Sequence, residues 1–248
     1  MTPTMIRKLS VPFFSITIVL LASQQLSAQK KRIPPGGRIA IVADERLAAL
    51  RNAPNLSARL IRRLSRGRLV SVRDTRRNRE GVVFDRVVVT RRTSGWVQSE
   101  AIISSRRTGD DARLCYLIEG SDEFDRVARA RIFVDIFPHS RLLPTVLLML
   151  GDAAEEAAAK LSREAQRRLE RREIPANGAP EFTYYLNYSG LDRYNRQGVM
   201  FTFDRLSKQF HYEGAAWREI LRRFPNRPES IEARKRLEHL STKNKRKV

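Results

Sequence analysis

Apolar positions along the chain follow two different rhythms. From 38 to 104 they come in short, β-branched runs at 38–43 (RIAIVA), 59–64, 68–73 (RLVSVR), 82–90 (VVFDRVVVT) and 101–103, with Trp96-Val97 between the last two. Ser65-Arg66-Gly67 and Thr93-Ser94-Gly95 supply turn signals between runs, with Gly95 expected at a positive φ. Alternation with period two predicts five or six short strands in roughly 70 residues, the pattern of a small barrel. Within the first run, the alternation places Ile39, Ile41 and Ala43 on one face.

Beyond Thr108-Gly109-Asp110-Asp111 the rhythm turns helical. Phe124, Val127, Ala128, Ile132 and Phe137 mark a helix over 122–137, capped by Ser121 or Asp122 and ended by Phe137-Pro138. Leu142, Leu143, Val146, Leu147 and Leu150 mark a second over 141–151. Asp152 then reads as the cap of a third, with Ala154, Ala157, Ala158, Leu161, Ala165 and Leu169 on one face and a basic C-terminal end at 167–172. A break at 176–180 (ANGAP) precedes helices over 215–224 and 229–240, again separated by Phe-Pro. An offset of 87 lays Phe133 on Ile220, Val134 on Leu221, Val146 on Ala233 and Leu150 on Leu237, which suggests one duplicated helical hairpin.

Charge adds a compartment argument. The 248 residues carry 48 Lys and Arg against 27 Asp and Glu, a net charge of +21. Residues 29–108 hold 20 basic and 6 acidic residues, net +14, whereas 109–248 hold 26 and 21, net +5. The N-terminus reads as a secretory signal over 1–28: Arg7 and Lys8, an apolar block at 11–22, then Leu26-Ser27-Ala28 before a cut at Gln29. Its removal would lower the net charge from +21 to +19. An apolar fraction of 42% suffices for a core, and no apolar run reaches the length of a membrane span. An exported chain with this excess of arginine meets anionic envelope polymers and acidic proteins rather than nucleic acid.

Two segments carry a family resemblance. Leu50-Arg51-Asn52-Ala53-Pro54, and Gly95-Trp96-Val97 before the closing strand, resemble the signatures of bacterial SH3-like (SH3b) domains over about residues 38–104. The charged stretch 74–81 (DTRRNREG) departs from that pattern where an aromatic often begins the next strand, and Phe84 stands in for it. Phe-Pro between helices, with Ala233 at a small packing position, resembles tetratricopeptide-like repeats of bacterial envelope proteins. These resemblances imply an α+β, multi-domain chain. Its parts are a signal (1–28), a basic linker (29–37), an SH3-like β-barrel (38–108) and a helical hairpin region (109–175). A connector (176–190), a TPR-like hairpin (191–242) and a basic tail (243–248) follow. The resemblance further implies a non-enzymatic binding or scaffold protein of the periplasm or cell surface. It would take peptidoglycan, another anionic polymer or a protein on the barrel and dock a partner protein on the helices. An accessory subunit with a purely structural barrel, and a polyanion-binding protein, are the alternatives.

Candidate ligand residues on the barrel are Trp96, Phe84, Arg51, Arg62, Arg63, Arg76 and Arg77. Trp96 either offers its ring to a ligand or caps the barrel core, and the arginines either bind polyanions or simply solvate the surface. Tyr184, Tyr185, Tyr188 and Trp217 are the aromatic candidates for a partner face, with packing on the helices as the alternative for the tyrosines. No cofactor is implied. Cys115 is the only thiol and sits among apolar neighbours, so it reads as buried and inert; His139, His211 and His239 lack metal-ligand spacing. There is no Gly-rich phosphate loop and no Gly-x-Ser-x-Gly.

Overall fold

A computed structural model describes residues 36–169 and 178–245, with side chains described as far as Thr242. The expected export signal (1–28), nearly all of the basic linker, the end of the expected helical hairpin region with the start of the connector, and the end of the basic tail lie outside the described residues. The described chain belongs to one compact unit spanning 33–248.

The first part is a seven-stranded, wholly antiparallel sheet: β1 (Arg38–Val42), β2 (Ala49–Arg51), β3 (Leu60–Arg63), β4 (Leu69–Arg77), β5 (Val83–Thr90), β6 (Thr93–Gln98) and β7 (Ile102–Ile103). The strand order is β3-β2-β6-β5-β4-β1-β7. The expected barrel is not closed: the sheet is open, since β3 and β7 stand at its edges without pairing to each other. Two expectations are corrected. The stretch 74–81 is not one charged loop: β4 runs on to Arg77, and Asn78 closes the turn by accepting the backbone N–H groups of Glu80 and Val82 on its Oδ1. Gly95 is not at a turn with positive φ; it lies inside β6.

The sheet's own core gathers Ala40, Val42, Leu50, Leu64, Val70, Val72, Val87, Val89, Val97 and Ile102. The intervening residues of β1 point the other way. Ile41 and Ala43, with Ile103 of β7, belong instead to the core of the helices. The β1 sequence is therefore apolar at consecutive positions because both of its faces are covered. Ile39, expected beside them, is 43% exposed.

The helices are α1 (Asp110–Glu119), α2 (Glu123–Ile136), α3 (Leu143–Arg168), α4 (Glu181–Leu186), α5 (Asp192–Asn195), α6 (Ala215–Arg223) and α7 (Pro228–Lys245). Helices α2 and α3 form one hairpin and α6 and α7 another, and both α6 and α7 pack on α3. Where the sequence suggests two helices meeting at Gly151-Asp152, there is one continuous helix of 26 residues. Asp152 does not cap it but pairs with Arg236 of α7 at 2.6 Å. Gly151 marks the close approach of Trp217 rather than a break.

Residues 201–212, placed by the sequence reading within a helical hairpin, instead form an antiparallel β-hairpin of β8 (Phe201–Asp204) and β9 (Gln209–Tyr212). Phe210 and Tyr212 point into the helical core, and the Tyr212 hydroxyl accepts the Ala216 N–H at the start of α6. No helix among the described residues is long and apolar enough to cross a membrane.

Candidate functional site

The strand register assembles a basic surface around Trp96. Arg51 of β2 lies opposite Trp96 of β6, and Trp96 lies opposite Arg86 of β5. Arg86 in turn faces Asp74 of β4, so Arg51, Trp96, Arg86 and Asp74 form one row across four strands. Residues directly opposite one another share a sheet face, with Cβ atoms about 4.5–5.5 Å apart. The neighbours Leu50, Val97 and Val87 belong to the sheet core, so this row lies on the outer face. One step along, Arg76 is opposite Phe84. Its guanidinium carbon stands 5.3 Å from the centre of the Trp96 ring, within cation–π range. Arg63, opposite Ala49, joins the face at the sheet edge.

Trp96 is 8% exposed, so its ring is covered on the protein rather than held out as an open platform. Phe84 is buried more completely. What this face presents to solvent is guanidinium. Arg51 donates to the Ala58 carbonyl at 2.6 Å, which holds its head in place. Arg76 is tied to Asp74 at 3.1 Å. Arg86 is exposed, and its side chain makes no hydrogen bond or ion pair among the described residues. Four arginines against one aspartate make a face suited to holding an anion.

The remaining candidates fall elsewhere. Arg62 is opposite Leu50 and therefore directed to the other side of the sheet edge. Arg77 is opposite Val83, off the row, and donates to the Gly81 carbonyl. Tyr185, Tyr188 and Trp217 are packed inside, in the core shared with α3, so their rings offer no surface to a partner. Tyr184 is half-buried on α4. Arg86 is the residue that sequence reading missed. Its place follows from strand register, which no local motif spells out.

Gly95 makes this arrangement possible. A β-carbon there would stand 2.6 Å from the Arg51 carbonyl oxygen, a backbone atom that cannot step aside. Gly95→Ala is therefore expected to force β2 from β6 and lower stability by about 1–3 kcal/mol. Urea unfolding would measure the loss, and an unchanged midpoint would refute it.

Cys115 lies within α1, and burial together with nearby Glu119 pushes its thiol up to about 11, so it stays protonated at neutral pH. Among the described residues no cluster of three His, Cys, Asp or Glu side chains could hold a metal ion. No protein-family model matches the chain, and no curated protein and no solved structure matches it.

Proposed function

We propose that this chain is an exported, non-enzymatic binding protein of the bacterial cell envelope, holding an anionic wall polymer or surface on the outer face of its sheet. The observation that carries this reading is Arg86. It is an exposed guanidinium without a partner among the described residues, set in a row with Arg51 and Trp96. An SH3-like relationship is supported by the meeting of the two signature segments, since Arg51 of the first pairs directly with Trp96 of the second. The two helix hairpins support a tetratricopeptide-like role in docking a protein partner, although three of its four aromatic candidates, Tyr185, Tyr188 and Trp217, are interior.

The test uses the chain from residue 29 onward. It should co-sediment with peptidoglycan or anionic vesicles at low salt and release as the ionic strength approaches ~1 M, where the Debye length shrinks to about 3 Å. The double variant Arg76→Gln/Arg86→Gln should bind at least about thirtyfold more weakly, since each of the two charge-assisted contacts is worth about 1 kcal/mol or more. Arg77→Gln, off the row, should bind as the parent does. Salt-independent pelleting, or equal loss in the Arg77 variant, would count against the site.

A further inference from the structure

A second site lies where the sheet meets α1. Arg38, Thr75, Val83, Asp85, Ser99, Glu100, Arg107 and Arg113 are among the residues around an open cleft of about 550 Å³. Unlike the outer face, its lining balances charge, with Arg38, Arg107 and Arg113 against Asp85, Glu100 and Asp110.

Most of these charges are already used. Asp110 is buried and accepts the Ser104 backbone N–H at 2.7 Å and the Arg107 Nε at 2.8 Å. Arg107 also donates to the Ile102 and Ser99 carbonyls, and Arg113 to those of Ile102 and Glu100. Four buried polar atoms of the lining nonetheless have no hydrogen-bond partner: Arg38 Nε, Asp85 Oδ2, Ser99 Oγ and Arg113 Nε.

Asp85 is the most informative of these. It is 1% exposed, yet only its Oδ1 is engaged, by the Thr75 hydroxyl at 2.5 Å. The nearest cation to Oδ2 is the Arg107 Nη1 at 3.6 Å, too far for a hydrogen bond. At the same cleft the side chain of Arg38, half-buried, makes no hydrogen bond or ion pair among the described residues. A carboxylate oxygen and a guanidinium Nε, both buried and unsatisfied beside one cavity, cost free energy that a ligand would return.

We propose that this cleft binds a small zwitterion, an amino acid or the terminus of a short peptide. The ligand's ammonium would meet Asp85 Oδ2 and its carboxylate would meet Arg38. Balanced lining charge selects against a simple polyanion, which distinguishes this cleft from the arginine face. The pairing of an unsatisfied acceptor with an unsatisfied cation, both buried in the cleft wall and reached as the lining side chains give, calls for both charges on one molecule.

Alanylalanine is the probe, titrated calorimetrically into the chain from residue 29 onward, with its N-acetylated and C-amidated forms as the other two arms. The free dipeptide should bind saturably and about tenfold more tightly than either blocked form, the worth of one charged hydrogen bond. Arg38→Gln lies at a half-exposed strand start and is not expected to disturb folding. It should erase the advantage over the C-amide while keeping the advantage over the N-acetyl form; Asp85→Asn should do the reverse. Equal binding of all three peptides, or no saturable binding, would overturn the proposal and leave the orphaned atoms to ordered water. Neither result bears on the outer face, whose ligand is read by sedimentation.

Discussion

Trp217→Ala is expected to remove about 3–5 kcal/mol of stability, the usual range for emptying a large aromatic site in a core. Trp217 is wholly buried where α6 crosses α3, edge-on to Tyr212 at 5.6 Å. It ties the second helix hairpin and the β8–β9 hairpin to the long helix at one point. The approach is unusually close: a β-carbon at Gly151 would stand 2.1 Å from the indole Nε1. That nitrogen is buried and has no hydrogen-bond partner, so the contact is one of shape. Gly151→Ala should therefore destabilise by about 1–3 kcal/mol, despite the roughly 1 kcal/mol that alanine gains over glycine within a helix. Trp217→Phe deletes the pyrrole edge that comes closest and relieves the orphaned N–H. In a double-mutant cycle, the alanine at 151 should cost less on the phenylalanine background by at least about 0.5 kcal/mol. Additive costs would show that the two positions do not clash.

This contact also shows what the sequence could and could not reveal. A glycine followed by aspartate reads locally as a helix end and a new cap, and that reading splits α3 in two. Only the distant Trp217 explains the glycine, and only Arg236 explains the aspartate. The α+β composition was legible because period-two and helical patterns occupy different stretches. The Phe-Pro turns were legible because proline ends a helix locally. The β8–β9 hairpin was missed although Phe201, Phe203, Phe210 and Tyr212 alternate. The stretch is short and lay inside a region otherwise read as helical, and its burial comes from α3 rather than from a larger sheet. Of the candidate site, Trp96, Phe84, Arg51, Arg63 and Arg76 were named from sequence. Their grouping with Arg86, and the exclusion of Arg62 and Arg77, required the register.

Arg129→Ala should cost about 1–3 kcal/mol, because it takes the donor from the buried Ser121 hydroxyl and the Ala43 carbonyl, while Asp44 keeps Arg46. Arg129 of α2 and Asp44, just after β1, both have side chains only 5% exposed and stand 3.8 Å apart. Arg129 also donates to the Ser121 hydroxyl at 2.5 Å and to the Ala43 carbonyl. Around this pair, Arg46 grips Asp44, while Arg66 holds Asp125 of α2 through two bonds of 2.8 and 3.0 Å. The network thus fastens the sheet to the helices at the seam where Ile41 and Ala43 enter the helical core. Arg129→Met should cost less than Arg129→Ala, since methionine refills most of the volume that alanine leaves empty and Asp44 keeps Arg46 in both. The same network sets an acid limit. Bonds from Arg46 and from Arg66 hold the carboxyls of Asp44 and Asp125 below the ordinary value of 3.8. Their stabilisation is complete above that pH and is lost as pH falls through the lower folded values. Urea midpoints taken from pH 5 down to about pH 2 should fall steeply in the parent chain. The fall should be shallower in Arg46→Gln/Arg66→Gln, which lacks the two strongest of these bonds. Parallel acid limbs in the two proteins would place the acid sensitivity elsewhere in the fold.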